Sequence, residues 1–171
     1  NQQQADDIDL SPGSIVSTDR ELDIAVNGDG FITVLNEQGV EAFTRAGDLR
    51  LDSVGRLTTG AGFSVMGNAG PIAIPPAEKI EIGQDGSISI RPVGQSADAM
   101  VIADRIKLVK PNLDELYKNA DGLLQVRSGL IEPPSPDVQL ESGVIEHSNV
   151  NAVGQMIELI TNARQFETNV K

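Results

Sequence analysis

Short runs in which hydrophobic and polar residues alternate make up most of this 171-residue chain. In the clearest case Leu22, Ile24 and Val26 alternate with less hydrophobic residues, Asn-Gly-Asp-Gly follows at 27–30, and β-favouring residues resume at 31–34. Asn-Gly and Asp-Gly pairs supply the positive φ angles that tight turns need, so the pattern predicts a β-hairpin. The turn residues of this hairpin are Asn27, Gly28, Asp29 and Gly30.

Similar runs continue along the chain. Isoleucine alternates with polar residues on both sides of Asp85-Gly86, which predicts a second hairpin. Asn112 is expected to cap a single helical turn at 112–117, because its side chain can accept a hydrogen bond from the first free amides. Further short strands are expected at 15–16, 40–44, 49–51, 63–65, 72–74, 100–110, 123–126 and 138–140. The predicted fold class is therefore mainly β, a meander of short strands.

The hydrophobic period changes from two to about 3.5 after residue 150, which predicts a C-terminal amphipathic helix. Asn151 is the expected N-cap of this helix, since its carboxamide can accept from the first helical amides. The predicted apolar seam, which we interpret as an assembly interface, consists of Val153, Met156, Ile157, Ile160, Ala163 and Val170.

The apolar seam of this helix must be buried against other apolar side chains. Leaving its large side chains in water would forfeit about 1.5 to 3 kcal/mol for each, and an isolated helix of this length is marginal. One alternative is that the helix packs on its own β body. The other is a helical partner from another molecule or from a segment outside this chain, which the period near 3.5 favours.

The same patterns divide the chain into three parts. Residues 1–21 are polar and without periodicity, which predicts an extended arm or linker. Residues 22–141 form the expected β-rich body, and residues 142–171 the bend and the C-terminal helix. The chain begins without Met, and its helix runs to the last residue without a stop signal, so we expect a core fragment of a longer protein.

Composition narrows the choice of partners. The chain carries 25 Asp and Glu against 13 Lys and Arg, a net charge of -12, which repels nucleic-acid phosphates and anionic membrane surfaces. Four Phe, one Tyr and no Trp offer few rings on which bases or sugars could stack. No run approaches the roughly 18 apolar residues of a membrane span. We therefore expect no nucleic-acid binding and no membrane insertion.

Candidate chemistry is sparse. The chain has one histidine, His147, and no cysteine, and no Gly-x-Ser-x-Gly elbow accompanies the histidine. None of the Asp-Gly turns extends into a 12-residue calcium loop, and the Gly-x-Gly sequences lack the third glycine of a dinucleotide fingerprint. We predict no catalytic residue, cofactor or metal site. A secreted glycan hydrolase that uses paired carboxylates and a calcium-binding adhesin module remain as alternatives.

Four segments together resemble one known family. Leu-Asp-Ile-Ala-Val-Asn-Gly-Asp-Gly-Phe at 22–31 resembles the LDxAIxGxGFF segment of flagellar rod and hook proteins, and Phe-Thr-Arg-Ala-Gly-Asp-Leu at 43–49 resembles their YTRxGxF element. Residues 57–75 resemble the family's next repeat of short strands. Gly-Val-Ile-Glu-His-Ser-Asn-Val-Asn at 143–151 is similar to the GxLExSNVN signature that precedes the C-terminal helix.

The resemblance implies a non-enzymatic structural subunit of the bacterial flagellar basal-body rod. Such a subunit polymerises with other rod subunits into the axial shaft that transmits torque, and it is exported through the flagellar type III apparatus into the periplasm-spanning rod. Two segments, at 107–111 and 163–167, look more like proximal-rod than distal-rod or hook members. The resemblance also implies that the fragment lacks both assembly ends, and we expect it to be monomeric when trimmed.

Overall fold

The computed structural model describes residues 13–94 and 99–147, and β-strands dominate them. Sixteen short strands lie within these residues, together with one turn of 3-10 helix at Leu113–Glu115. The strands are β1 (Ile15–Ser17), β2 (Ile24–Asn27), β3 (Phe31–Leu35), β4 (Glu41–Thr44), β5 (Leu49–Leu51), β6 (Leu57–Thr59), β7 (Met66–Gly67), β8 (Gly70–Pro71), β9 (Ala77–Ile82), β10 (Ser87–Pro92), β11 (Val101–Arg105), β12 (Leu108–Val109), β13 (Leu116–Lys118), β14 (Leu124–Val126), β15 (Gln139–Ser142) and β16 (Val144–Glu146). The mainly β fold class is confirmed, while the predicted C-terminal helix lies outside the described residues.

The strands form several small antiparallel sheets. Within the described part of the chain, the largest sheet has the order β12-β3-β4-β14-β13, and a second has the order β11-β10-β9. The remaining strands pair as β1 with β16, β2 with β15, β5 with β6, and β7 with β8. The chain returns repeatedly to strands formed much earlier, so it is more than a succession of neighbouring hairpins.

Buried aliphatic side chains from these sheets form a shared core. In β10, Ile88 and Ile90 are almost fully buried while the alternating Ser87 and Ser89 are half-buried, as the period of two requires. Strand β3 is buried on both faces, because one face joins the aliphatic core and the Phe31 ring on the other stacks on Phe43 at 6.4 Å. Core members include Ile24, Ile32, Val34, Leu49, Leu57 and Leu140.

The two predicted hairpins have different outcomes. The second is confirmed: β9 and β10 pair directly, with Ile88 opposite Ile82 and Ile90 opposite Ile80. The first is wrong, because β2 pairs with β15 whereas β3 pairs with β4 and β12. Residues 27–30 do turn the chain, but they pass it from one sheet to another.

Three further expectations need correction. The predicted strand at 100–110 divides into β11 and β12, because the amides of Ile106 and Lys107 donate to Gly86 and Met66 from other segments, both at 2.8 Å. The helical turn that Asn112 caps ends at Glu115, and the chain continues as β13. The strand expected at 138–140 is β15, at 139–142, and it is followed by β16, which the sequence did not predict.

The chain divides into two compact units, one comprising residues 16–146 and the other residues 1–15 and 147–171. Of the second unit the structure describes 13–15 and 147. The division into an arm at 1–21, a body at 22–141 and a C-terminal part at 142–171 stays a prediction. Among the described residues, no helix is long and apolar enough to span a bilayer.

Candidate functional site

The turn at 27–30, here called the motif turn, depends on two glycines in the left-handed region. Gly28 has φ +90°, and a side chain there would meet no atom within 4 Å, so the backbone angle alone favours glycine. Gly30 has φ +123° and is also confined, since a Cβ would lie 2.8 Å from both methyl carbons of Val138. Asn27 and Asp29 keep negative φ angles. Glycine is therefore required at 30 for two independent reasons.

The carbonyl groups of the motif turn bind a side chain from the next motif along the chain. Nη1 of Arg45 donates to the carbonyl oxygens of Gly28 and Gly30, at 2.8 Å in both cases. Nη2 of Arg45 lies 3.4 Å from the carbonyl oxygen of Val26. One guanidinium thus binds two carbonyl groups of the motif turn and approaches a third at the end of β2.

The same guanidinium makes a bidentate ion pair with Glu146. Nη2 of Arg45 donates to Oε1 of Glu146 at 2.6 Å, and Nε donates to Oε2 at 3.1 Å. The arginine side chain is 16% exposed and the glutamate side chain 8% exposed, so water competes weakly for either group. With these contacts every N–H of the guanidinium has an acceptor.

Arg45 is held in this position by its neighbours in sequence. The Thr44 hydroxyl accepts from the amide of Ala46 at 3.0 Å, which turns the chain directly after β4. Gly47 then packs so closely on β2 that a Cβ would overlap the carbonyl oxygen of Ile24, and the Ile24 amide donates to the Gly47 carbonyl at 2.9 Å. The backbone on both sides of Arg45 is therefore fixed against the body.

A second partly buried ion pair lies elsewhere in the body. Nζ of Lys107 is 2.7 Å from Oε1 of Glu41, and the two side chains are 6% and 20% exposed. It joins the segment between β11 and β12 to the start of β4. It resembles the Arg45 pair in burial, and it involves neither the motif turn nor β16.

The residues considered for chemistry are arranged as turn formers and surface groups. His147 is exposed, and Asp114 and Glu115 are exposed on the 3-10 turn. Hydrogen bonds from the Ser87 hydroxyl and amide lower the pKa of Asp85, and the Arg56 amide lowers the pKa of Asp52. A carboxylic acid that donates a proton near neutral pH needs a raised pKa, and these two carboxylates are shifted the other way. Among residues 13–94 and 99–147, no group of three or more His, Asp or Glu side chains could hold a metal ion.

The structure describes only part of the predicted site. All four residues of the motif turn are described, whereas the seam residues Val153, Met156, Ile157, Ile160, Ala163 and Val170 and the cap Asn151 lie outside the described residues. Sequence reasoning missed the roles of Arg45 and Glu146. The motifs that contain them were visible, but nothing in a single sequence joins two residues that are 101 positions apart.

Two matches to known protein families include the residues of this site. Residues 25–90 match the family described as the flagellar hook protein FlgE/F/G D1 domain. Residues 141–171 match the family described as the flagellar basal body rod FlgEFG protein C-terminal. Arg45 and the motif turn fall in the first match and Glu146 in the second.

Individual relatives agree with these matches. The flagellar basal-body rod protein FlgF of Escherichia coli K12 is 38% identical over 95% of this chain and 67% of its own length. The FlgF protein of Salmonella typhimurium LT2 is 36% identical over the same shares. The rod protein FlgG of Bacillus subtilis 168 is 34% identical over 94% of this chain and 63% of its own length.

These matches define a structural component of the bacterial flagellar basal body, and they give the glycan-hydrolase alternative no support. The chain belongs to the flagellar basal-body rod protein family. Within the family it is more similar to the FlgF proteins above than to FlgG, which confirms the preference for a proximal-rod member.

Proposed function

We propose that this chain polymerises with other rod subunits through its C-terminal segment and has no enzymatic activity. The proposal rests mainly on the match of residues 141–171 to the rod-protein C-terminal family, together with the apolar seam in that segment. The β-rich body would then form the outer part of each subunit. The three-part division at 21/22 and 141/142 belongs to this proposal.

Physical chemistry favours a seam covered by neighbouring subunits. A period near 3.5 is typical of helices that pack lengthwise against other helices. Contacts between different surfaces of identical or related subunits extend into an open filament when the rotation between subunits does not close. The seam residues Val153, Met156, Ile157, Ile160, Ala163 and Val170 are the proposed contact, and Asn151 is the proposed helix cap.

The net charge of -12 suits a subunit that must stay dispersed before it assembles. We expect the partners to be other rod proteins, and the 171-residue chain by itself to be monomeric because copies of the same negative charge repel each other. Incubation of the purified chain with peptidoglycan is expected to release no soluble fragments.

A single charge in the seam tests the assembly proposal. In the complete protein, as the bacterium makes it, Ile160→Asp is expected to abolish rod assembly and motility, because a carboxylate cannot be buried among apolar side chains without a partner. Asn162→Asp is the matched control, since it adds the same charge at a position outside the seam. Swimming in soft agar and electron microscopy of isolated basal bodies measure the effect.

Circular dichroism of both variants checks that the β body stays folded. Normal rods and normal swimming with Ile160→Asp would contradict the proposed seam. Equal loss with both variants would point to a general effect of added charge rather than to a contact along the seam.

A further inference from the structure

We propose that Arg45 is a positioning residue that holds the end of β16, the point at which the chain enters its proposed assembly segment. The inference rests on the proposed function, since it concerns the strand that directly precedes that segment in the chain. It assigns a role to contacts between the motif turn, Arg45 and Glu146, which together form what we call the Arg45 cluster.

Strand β16 pairs with β1, whose three residues are exposed. The amide of His147, the residue after β16, donates to the carbonyl of Ser14 at 2.8 Å. Strand β16 contains three residues, of which Val144 is buried and Ile145 and Glu146 are half-buried. Its start is anchored on the body, because the amide of Gly143 donates to the carbonyl of Asp23 at 2.8 Å. Its last residue is Glu146, and both oxygens of that carboxylate are bound by Arg45. The ion pair is therefore the contact through which the side chain of the last strand residue is joined to the motif turn.

The direction of this anchor is set by the motif turn. A guanidinium is planar and rigid, so binding one edge to fixed acceptors also fixes where the other edge points. Nη1 is fixed by the carbonyls of Gly28 and Gly30, and the opposite edge, formed by Nε and Nη2, meets Glu146. Gly28 and Gly30 thus act on Glu146 through Arg45.

Two kinds of substitution are expected to disrupt the Arg45 cluster more than they would disrupt an ordinary ion pair. Lysine keeps the charge but has a single nitrogen, so Arg45→Lys cannot bind two carbonyls and both carboxylate oxygens at once. Exchanging the charges, with Arg45→Glu and Glu146→Arg together, would place a carboxylate against backbone carbonyl oxygens. An ordinary ion pair would survive the exchange better than this cluster.

The variants are made in the complete protein and expressed in a bacterial strain from which the unmodified protein has been deleted. Glu146→Gln and Arg45→Lys are compared with Glu41→Gln, which breaks the Lys107 ion pair of similar burial without touching the motif turn or β16. Amide hydrogen exchange of residues 143–147 is measured against other body segments. In Glu146→Gln and Arg45→Lys, the exchange rate of these amides is expected to rise about tenfold more than that of the rest of the body. A tenfold change in rate corresponds to the loss of one charge-assisted hydrogen bond.

Swimming and rod incorporation supply the second measurement. At matched thermal stability, Glu146→Gln and Arg45→Lys are expected to reduce both, and Glu41→Gln is expected to leave both close to the unmodified protein. Equal losses in the Glu41 and Glu146 variants, or a uniform rise in exchange across the body, would overturn the positioning role.

The same strains separate this inference from the proposed function. If the strain that lacks the protein swims normally, the proposed function fails. If that strain is non-motile while Glu146→Gln and Arg45→Lys behave like Glu41→Gln, only the positioning role fails. Glu146→Gln retains the shape of the side chain, so it is the variant that keeps the test informative if Arg45→Lys does not fold.

Discussion

Two turns that both end in Asp-Gly, at 27–30 and 83–86, are held together in different ways. At 83–86 local bonds close the turn: the Gly83 amide donates to the Ser87 carbonyl at 2.8 Å, and Asp85 accepts from the Ser87 hydroxyl at 2.7 Å. The carbonyls of Gln84 and Gly86 accept from backbone amides of distant segments. The flanking strands β9 and β10 then pair with each other. At 27–30 the carbonyls bind Arg45, and the flanking strands join separate sheets.

The difference shows what an Asn-Gly or Asp-Gly pair determines. It favours glycine with a positive φ, and both turns have this, with φ +90° at Gly28 and +87° at Gly86. It does not determine which strands pair, because pairing depends on what else can bind the backbone groups. At the motif turn a distant arginine side chain binds the carbonyls, whereas at 83–86 distant backbone amides bind them.

The largest expected effect comes from removing the distant partner. Arg45→Met is expected to lower the free energy of unfolding by about 3 kcal/mol, because it leaves Glu146 and two turn carbonyls without a donor in a partly buried place. The control is Arg105→Met, which removes a guanidinium that pairs with Asp85 beside the other turn, where the side chains are 52% and 58% exposed. That change is expected to lie within about 1 kcal/mol of zero. Urea unfolding of both variants measures the contrast, and equal losses would contradict it.

The glycines of the motif turn give an intermediate effect. Gly30→Ala is expected to destabilise by about 2 kcal/mol, because the new methyl combines a strained φ with a contact to Val138. Gly28→Ala has only the strained φ and is expected to destabilise by about 1 kcal/mol. Thermal unfolding at neutral pH compares the two. The distinction would be refuted if Gly28→Ala were as harmful as Gly30→Ala.

The smallest expected effect is on the stability of the folded protein at acid pH. The pKa of Asp85 is lowered by the Ser87 hydroxyl and amide, so its ionised form favours the folded state at pH values above the ordinary value of 3.8. This contribution is lost as the pH falls through the lowered value. Asp85→Asn is therefore expected to lower stability slightly at pH 7, where the carboxylate contributes, and to make stability less dependent on pH below about 4. Melting temperatures between pH 7 and pH 2 measure this, and an unchanged acid profile would count against it.

Local chemistry made parts of the fold predictable. The alternating isoleucines of β9 and β10 predicted their hairpin, and the side chain of Asn112 caps its turn as expected, accepting from the amide of Asp114 at 3.0 Å. Strand β16 was missed because three residues with one buried side chain carry too weak an alternation. The division of 100–110 was missed because it depends on backbone bonds to Gly86 and Met66.

The sequence by itself determined where this chain bends, which residues alternate between core and surface, and, through its motifs, the family to which it belongs. Those properties depend on φ preferences and on a period of two, which act over a few residues. Only the tertiary structure decided that β2 and β3 separate and that Arg45 joins the motif turn to Glu146. Both depend on groups that are distant along the chain and become neighbours only when the sheets pack.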